Sequence, residues 1–491
     1  MRLRLLFAAI LIGMLPAGAG ADSVVTYHNG NHRHGAYIVP GLTIAAAANM
    51  QPDSKFKPTI SGHIYAQPLF WKPKGANRGL VVVATESNNI FALNESTGDT
   101  VWQIALASPV PHSELPCGNI DPVGITGTPV IDEAAGVLYL NALVRTAHGP
   151  RHKVYALSMS DGSVLPNWPI DVEAALQRKG TNFSSPVQGE RSALLLFANK
   201  LYVNYGGNFG DCGNYHGTVV QIDPDRARVE ATWQTRATGG GIWAQGGLAG
   251  DGSYLYITTG NTFGATTWSD GEAVIKLHPG LAHSNNIKDY FAPSNWKELD
   301  NSDQDLGGTE ALPLNVAVPG DKPAARVIAF GKDGKAYLLD RKNLGGIGGA
   351  IQVLQVANGG IRTAPAVYQT DAQTLVAFTN LGNGHCSGNN ITAVNVAVSG
   401  TSPMSFAWCA GLNGGGAPMV TTTDGKANAI VWAVGAEGDN ALHGFSVADG
   451  KTVFSGAGTT MSGLHHFQTI LATRDRFYVA GDNNVYAFKW R

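Results

Sequence analysis

Charged side chains are scarce in this chain, 14% of 491 residues, and they nearly cancel to a formal net charge of −2. There is no basic field and no Lys/Arg stripe with interleaved aromatics, which excludes nucleic acid as the expected partner. Long helical patterns carrying i, i+4 charge pairs are missing, and no segment reaches the roughly 20 apolar residues that span a bilayer. Cysteine is limited to Cys117, Cys212, Cys386 and Cys409. No two are adjacent, and no Cys-x-x-Cys or Cys-x-x-Cys-His occurs, so neither a four-thiolate zinc site nor covalent haem is expected. No Gly-x-Ser-x-Gly nucleophile elbow is present either. What is abundant is glycine, at 62 residues, with 24 prolines and 44% hydrophobic residues, a composition suited to many short strands and tight turns.

The amino terminus reads as an export signal. Met1-Arg-Leu-Arg4 is basic, Leu5 to Leu15 is apolar, and Ala19-Gly-Ala21 is a small-residue cleavage site before Asp22. The apolar core is too short to span a membrane, and no cysteine follows the cleavage site for lipid attachment. A periplasmic or secreted product is expected, in a compartment where the four cysteines form two disulfides, with Cys117–Cys212 and Cys386–Cys409 the favoured pairs of three possible pairings.

The fold is most legible in Ala92-Leu-Asn-Glu-Ser-Thr-Gly-Asp-Thr-Val-Trp102. It reads as a strand, a tight turn and a second strand ending on an indole able to pack between sheets. Gly79-Leu-Val-Val-Val-Ala-Thr85 supplies an inner strand before it. The spacing resembles the tryptophan-docking repeat of the pyrroloquinoline quinone (PQQ) propellers, a family that includes dehydrogenases and non-catalytic scaffolds. Blade-sized units recur downstream, opened by His63-Ile-Tyr-Ala-Gln-Pro68, Gly124-Ile-Thr-Gly-Thr-Pro129, Asn182-Phe-Ser-Ser-Pro186, Gly241-Ile-Trp-Ala-Gln-Gly246, Asp305-Leu-Gly-Gly-Thr-Glu310, Gly360-Ile-Arg-Thr-Ala-Pro365, Asn413-Gly-Gly-Gly-Ala-Pro418 and Gly463-Leu-His-His-Phe-Gln468.

These openings count to an all-β, eight-bladed propeller of four-stranded antiparallel blades, with seven blades as the alternative. The expected organisation is a signal peptide over 1–21, a closing strand and strap over 22–61, and one propeller over 62–491. The last unit ends without an outer strand, and Ser23-Val-Val-Thr-Tyr27 is the lone strand expected to complete it, followed by a strap over 39–57.

Longer phrases, Asn29-Gly-Asn-His-Arg-His-Gly35, Gly118 to Asp132, Gly240-Gly-Ile-Trp-Ala-Gln-Gly246 and Asp289-Tyr-Phe-Ala-Pro293 leading to Asp303-Gln-Asp-Leu-Gly307, resemble a bacterial secreted subgroup of quinoprotein-like propellers of unassigned activity. The PQQ alcohol dehydrogenases of the family carry a vicinal Cys-Cys pair over the cofactor and an Asp-type base beside calcium. This chain lacks the vicinal pair.

Blade openings line one mouth of a propeller's central channel, so their side chains are the first site candidates. His63, Tyr65, Gln67, Trp243, Gln245, Glu310, Arg362 and Gln468 are the expected ligand or cofactor contacts, with Asp121, Thr128 and Asn413 beside them. His465, His466 and Asp305 are the candidate catalytic groups. The leading expectation is a monomeric ligand-binding or scaffold propeller that takes a small molecule, glycan or protein loop at its axial mouth. The alternative is a PQQ- and calcium-dependent oxidoreductase of alcohols or sugars, in which Trp243 stacks on the cofactor, Arg362 pairs with it, a histidine takes the substrate proton, and Asp303, Asp305 and Glu310 supply oxygens to calcium. A uronate lyase, with Arg362 on the carboxylate, His465 or His466 as base and Tyr65 as acid, is a third scheme built from residue types. His28, His32 and His34 offer imidazoles to zinc or copper, with a solvated strap as the plainer reading. The glycine clusters at 239–241, 345–349 and 414–416 lack a following helix and Lys-Ser/Thr, and read as turns rather than phosphate loops.

Overall fold

Eight small sheets form the molecule. The computed structural model describes residues 23–318, 320–381, 390–398 and 402–490; the expected signal peptide, residues 1–21, lies outside them. Taking the innermost strands in order, blade 1 begins at Leu69–Trp71, blade 2 at Val130–Asp132, blade 3 at Leu195–Phe197, and blade 4 at Ala249–Gly250. Blade 5 begins at Leu312–Val318, blade 6 at Ala366–Gln369, blade 7 at Met419–Thr422, and blade 8 at Ile470–Ala472. The eight-bladed expectation holds, and seven blades are excluded. Within each blade neighbouring strands are antiparallel, with two parallel additions at sheet edges: Ala36–Ile38 joins blade 7, and Gly346–Ile347 joins blade 4.

Buried strands here are continuous apolar runs rather than alternating ones, because each sheet is covered on both faces by its neighbours. Val81, Val82, Val83 and Ala84 of blade 1 are all buried, and they divide between two core clusters, one on each face of the sheet. The tryptophan pattern does the expected work. Trp102 leaves blade 1 and donates from Nε1 to the Met159 carbonyl at 3.0 Å, and Trp408 leaves blade 6 and donates to the Val447 carbonyl at 2.8 Å. Each indole lies over a left-handed glycine, Gly162 (φ 76°) and Gly450 (φ 70°), where an added Cβ would stand 2.7 Å from the ring. Only glycine satisfies both the backbone and the close approach.

Ring closure differs from the expectation. The strand that completes blade 8 is Gln51–Pro52, paired with Phe488–Lys489. Ser23–Tyr27 instead lies against the inner strand of blade 1, through a two-way backbone pair between Val24 and Phe70. From there the segment visits the blades in order. Val25 accepts from Ile131 of blade 2. Asn31 donates to Leu196 of blade 3 and accepts from Gly250 of blade 4. His34 pairs with the Pro313 carbonyl of blade 5 and accepts from Val367 of blade 6. Ala36–Ile38 then pairs with Val420–Thr422 of blade 7 before the chain reaches blade 8. The amino-terminal segment is thus a hoop around the hub, tied to every blade.

Buried polar groups lock this hoop. Arg33, fully buried, donates to the carbonyls of Leu194, Leu248 and Tyr27 and to Thr26 Oγ1. His28 lies between the Arg33 carbonyl and Thr469 Oγ1, and burial lowers its pKa to about 3. The plainer reading of His28 and His34 as members of a solvated strap is therefore corrected: both are hydrogen-bonded inside the hub, while His32 is exposed. Their ring nitrogens serve the fold.

Cys117 and Cys212 form the first expected disulfide, with Cα atoms 6.1 Å apart, tying the segment before blade 2 to a loop of blade 3. Cys409 is also disulfide-bonded. Cys386, its expected partner, lies outside the described residues.

Candidate functional site

Tyr27 of the hoop closes the floor of the axial mouth. Its ring packs on Ala193, Ala364 and Ala417, small residues from the openings of blades 3, 6 and 7, and stacks on His28 at 4.3 Å. Small side chains at these positions are what let an aromatic ring occupy the shaft. Above it lies a cavity of about 230 Å³. Its wall is formed by Tyr65 of blade 1; Asn119, Ile120, Thr126 and Thr128 before blade 2; Arg191 before blade 3; Gln245 before blade 4; Glu437 of blade 7; and His465, His466 and Phe467 before blade 8.

Two groups in this wall are buried without a protein partner. The Tyr27 hydroxyl has none, and neither end of the Gln245 amide has one, although Gln245 is 7% exposed. Buried polar atoms without a partner are uncommon in folded proteins and call for water or a ligand. Arg191 supplies the cation: half-buried, it donates to Asn119 Oδ1 at 3.2 Å, and burial holds its pKa below the usual guanidinium value. Tyr65 stacks on His465 with ring centroids 4.1 Å apart, and burial pushes its phenol up to about 12, so it remains a hydrogen-bond donor at neutral pH.

The blade-8 histidines are held by carboxylates from hairpins. His465 Nε2 and His63 Nδ1 each lie 2.8 Å from an oxygen of Asp482, and His466 Nδ1 lies 2.8 Å from Glu437 Oε1. These acids also fasten blades together. Asp482 accepts from the Ile64 amide and Glu437 from the His466 amide, while Glu86 accepts from the Gly124 amide. In all three cases a carboxylate at a hairpin tip caps the opening of the next blade.

Other expected residues stand elsewhere around the shaft. Gln67 and Gln468 are buried in the layer of Tyr27, where Gln67 accepts from the His28 amide and Gln468 donates to the Ile64 carbonyl. Glu310 is fully buried, and burial raises its pKa to about 7 against the pull of Arg33. Trp243, Asp305 and Arg362 form a second group. Lys332 Nζ stands 5.1 Å from the Trp243 ring centroid and bridges Asp303 at 2.8 Å and Asp305 at 2.5 Å. Asp305 also accepts from the Asn261 amide. Arg362 is half-buried and feels the charges of Asp303, Asp305 and Glu437. Asp121 is exposed and accepts from the His112 amide, and Asn413 is exposed.

Arg191, Asn119, Lys332, Glu437, Asp482 and Tyr27 escaped the sequence reading. Glu437 and Asp482 share a signal that was available: each directly follows a buried apolar strand, in Ala433-Val-Gly-Ala-Glu437 and Val479-Ala-Gly-Asp482, at the turn that faces the mouth. Arg191 and Tyr27 carry no such mark.

The PQQ cofactor can be tested against these residues. The stacking half fits, since Trp243 presents an indole near the cations Lys332 and Arg362. The calcium half does not: Asp303 and Asp305 are both committed to Lys332, and Glu310 is sealed in the hub. No vicinal disulfide exists to cover the quinone.

Comparison with known proteins agrees with the architecture. A family described as outer membrane protein assembly factor BamB matches residues 76–276. No curated protein matches the chain. Among solved structures, the quinohemoprotein alcohol dehydrogenase of Comamonas testosteroni is similar at 14% identity with a TM-score of 0.68, covering 96% of this chain and 81% of that one. A europium-containing methanol dehydrogenase is similar at 13% identity and 0.64, covering 94% and 89%. BamB of Moraxella catarrhalis is similar at 13% identity and 0.51, covering 90% and 100%. At these identities the likeness is one of fold.

Proposed function

We propose that this chain, which resembles the PQQ-repeat propellers, is an exported binding protein whose axial cavity holds a small hydroxylated anion such as a sugar acid. The observation that supports the reading is that two residues lining the cavity, Tyr27 and Gln245, carry buried polar groups without a protein partner, beside the Arg191 guanidinium. A guanidinium recognises a carboxylate through paired N–H donors, a hydroxyl and an amide answer hydroxyl groups, and the Tyr65 and Phe467 rings offer apolar faces to a sugar. About 230 Å³ lies below the usual range for drug-sized ligands and suits one sugar unit better than a polymer. The disulfide Cys117–Cys212 supports an oxidising compartment. Among the described residues no helix is long and apolar enough to cross a membrane.

A second reading, an oxidoreductase using PQQ, is favoured by the group of Trp243, Lys332 and Arg362 and by the fold shared with alcohol dehydrogenases. Equilibrium titration of the purified chain with hexuronates, aldonates, neutral sugars and PQQ, with and without calcium, separates the two. The binding reading expects saturation by an acid sugar at one site and no dye reduction. A quinone absorbance change with turnover of alcohols or sugars would replace it with the oxidoreductase. No binding of any sugar would remove it.

A further inference from the structure

We propose that His63, His465 and Asp482 form a binding site for a divalent transition metal of the zinc class at the rim of the axial mouth. Their ligand atoms, two imidazole nitrogens and a carboxylate oxygen, all lie within 4.8 Å of one another. Two imidazoles with one carboxylate is a donor set that suits zinc and neighbouring first-row metals; with no thiolate in the set, copper(I) is disfavoured.

The three residues come from different loops, and those loops are fixed to each other before any ion arrives. Gly62 and Asn483, next to His63 and Asp482, exchange hydrogen bonds: the Gly62 amide donates to Asn483 Oδ1 at 2.8 Å, and the Asn483 amide to the Gly62 carbonyl at 3.0 Å. The Asp482 amide donates to Gly463 at 3.0 Å, which holds the hairpin against the segment bearing His465. Asp482 Oδ1 accepts from the Ile64 amide at 3.1 Å, and Tyr65 fixes the plane of the His465 ring by stacking. Such outer contacts orient ligands and strengthen metal binding.

Both histidine nitrogens point at the same carboxylate without an ion. A metal ion would take the place of the protons that now bridge nitrogen and oxygen, so binding releases protons or shifts a tautomer, and affinity falls in acid. The His63 side chain is 47% exposed, which leaves space beside it for the short rotation that would bring its nitrogen into coordination. With three protein ligands, one of them facing the cavity, the ion would keep open positions for water or ligand, as in sites that act on what they bind rather than in closed structural sites.

The test uses the full exported chain without an affinity tag. Calorimetric titration with zinc at pH 7.5 is expected to give one ion per chain, and Asp482→Asn and His465→Gln are each expected to weaken it by about 100-fold or more. His32→Gln, which alters an exposed histidine outside the cluster, is expected to leave it unchanged. X-ray absorption of the zinc-loaded wild-type chain is expected to show two imidazoles in the first shell, a readout that requires no variant to fold. No stoichiometric binding, binding indifferent to Asp482→Asn in a folded protein, or a first shell without imidazole would each overturn the site. Because the readout is the metal alone, failure here leaves the sugar-acid reading standing, and the reverse also holds.

Discussion

Replacing Arg33 with methionine removes a charged fork from the centre of the hub while keeping a side chain of similar length. Four hydrogen bonds disappear, three to carbonyls and one to Thr26, from a residue with no exposed surface. Charge-assisted bonds contribute about 1.5–3 kcal/mol each when lost singly, but bonds sharing one group do not add, and disrupting a buried charged cluster costs about 3–5 kcal/mol. With an unfolding entropy of about 2.1 cal/mol/K per residue, 491 residues give roughly 1 kcal/mol/K, so the expected drop in Tm is about 3–5 °C. The loss also reaches the cavity, because Arg33 donates to the Tyr27 carbonyl and so positions the floor. Near-ultraviolet circular dichroism during heating reads the first effect, and limited proteolysis of the amino-terminal segment reads the second. Removing the guanidinium raises Glu310 further, so Arg33→Met combined with Glu310→Gln should cost less than the sum of the two changes. A Tm within 1 °C of wild type, with no faster cleavage of residues 24–38, would show that the hoop does not hold the hub together.

Gly162→Ala puts a Cβ at positive φ against Trp102, and about 2–3 kcal/mol of destabilisation is expected, measured as a Tm about 2–3 °C lower; Gly450→Ala should match it at Trp408. Glu310 titrates near 7 in the fold against an ordinary 4.5, because burial disfavours its charge. The folded chain therefore holds the extra proton between those values, and this group's contribution to stability declines as pH rises through that window and is fully lost above about 7. Glu310→Gln should accordingly stabilise the fold at pH 8, by at most about 3 kcal/mol and read as a higher Tm, and have no such effect near pH 4.5; equal Tm shifts at both pH values would contradict this. Arg191→Gln should weaken binding of an acid sugar by at least about 10-fold while sparing neutral analogues, read by titration. Replacing Cys117 and Cys212 together by serine opens a loop closed over 95 residues, with about 4–5 kcal/mol expected from chain entropy and a Tm loss of comparable size in degrees.

The ring of blades was readable because each blade repeats the same local constraints. The Asn-Glu-Ser-Thr-Gly turn and the indole at Trp102 need no distant partner to be recognised, and the Cys117–Cys212 pair follows once successive blades are placed side by side. The closing strand was missed for a physical reason. Ser23–Tyr27 is β-rich and Gln51–Pro52 is not, yet an edge strand of two residues needs little intrinsic preference when the neighbouring strand supplies the template. Likewise Asn29-Gly-Asn-His-Arg-His-Gly35 looks polar and solvated, and its burial depends on carbonyls at Leu194, Leu248 and Pro313, more than 160 residues away in sequence. Tyr65, Gln245, His465 and His466, which line the axial cavity, were named because they sit in the repeated openings. Arg191 and Asp482 lie outside those phrases, and only the ring brings them to the same opening.

The central claim is that the unpartnered groups at the floor of the axial mouth bind a small hydroxylated anion. A crystal structure of the chain grown with a saturating hexuronate tests it most directly. The account predicts ligand density in the cavity above Tyr27, with its carboxylate on Arg191 and hydroxyl groups on Gln245 and the Tyr27 hydroxyl. An empty cavity, or density confined to the outer surface of the blades, would contradict it.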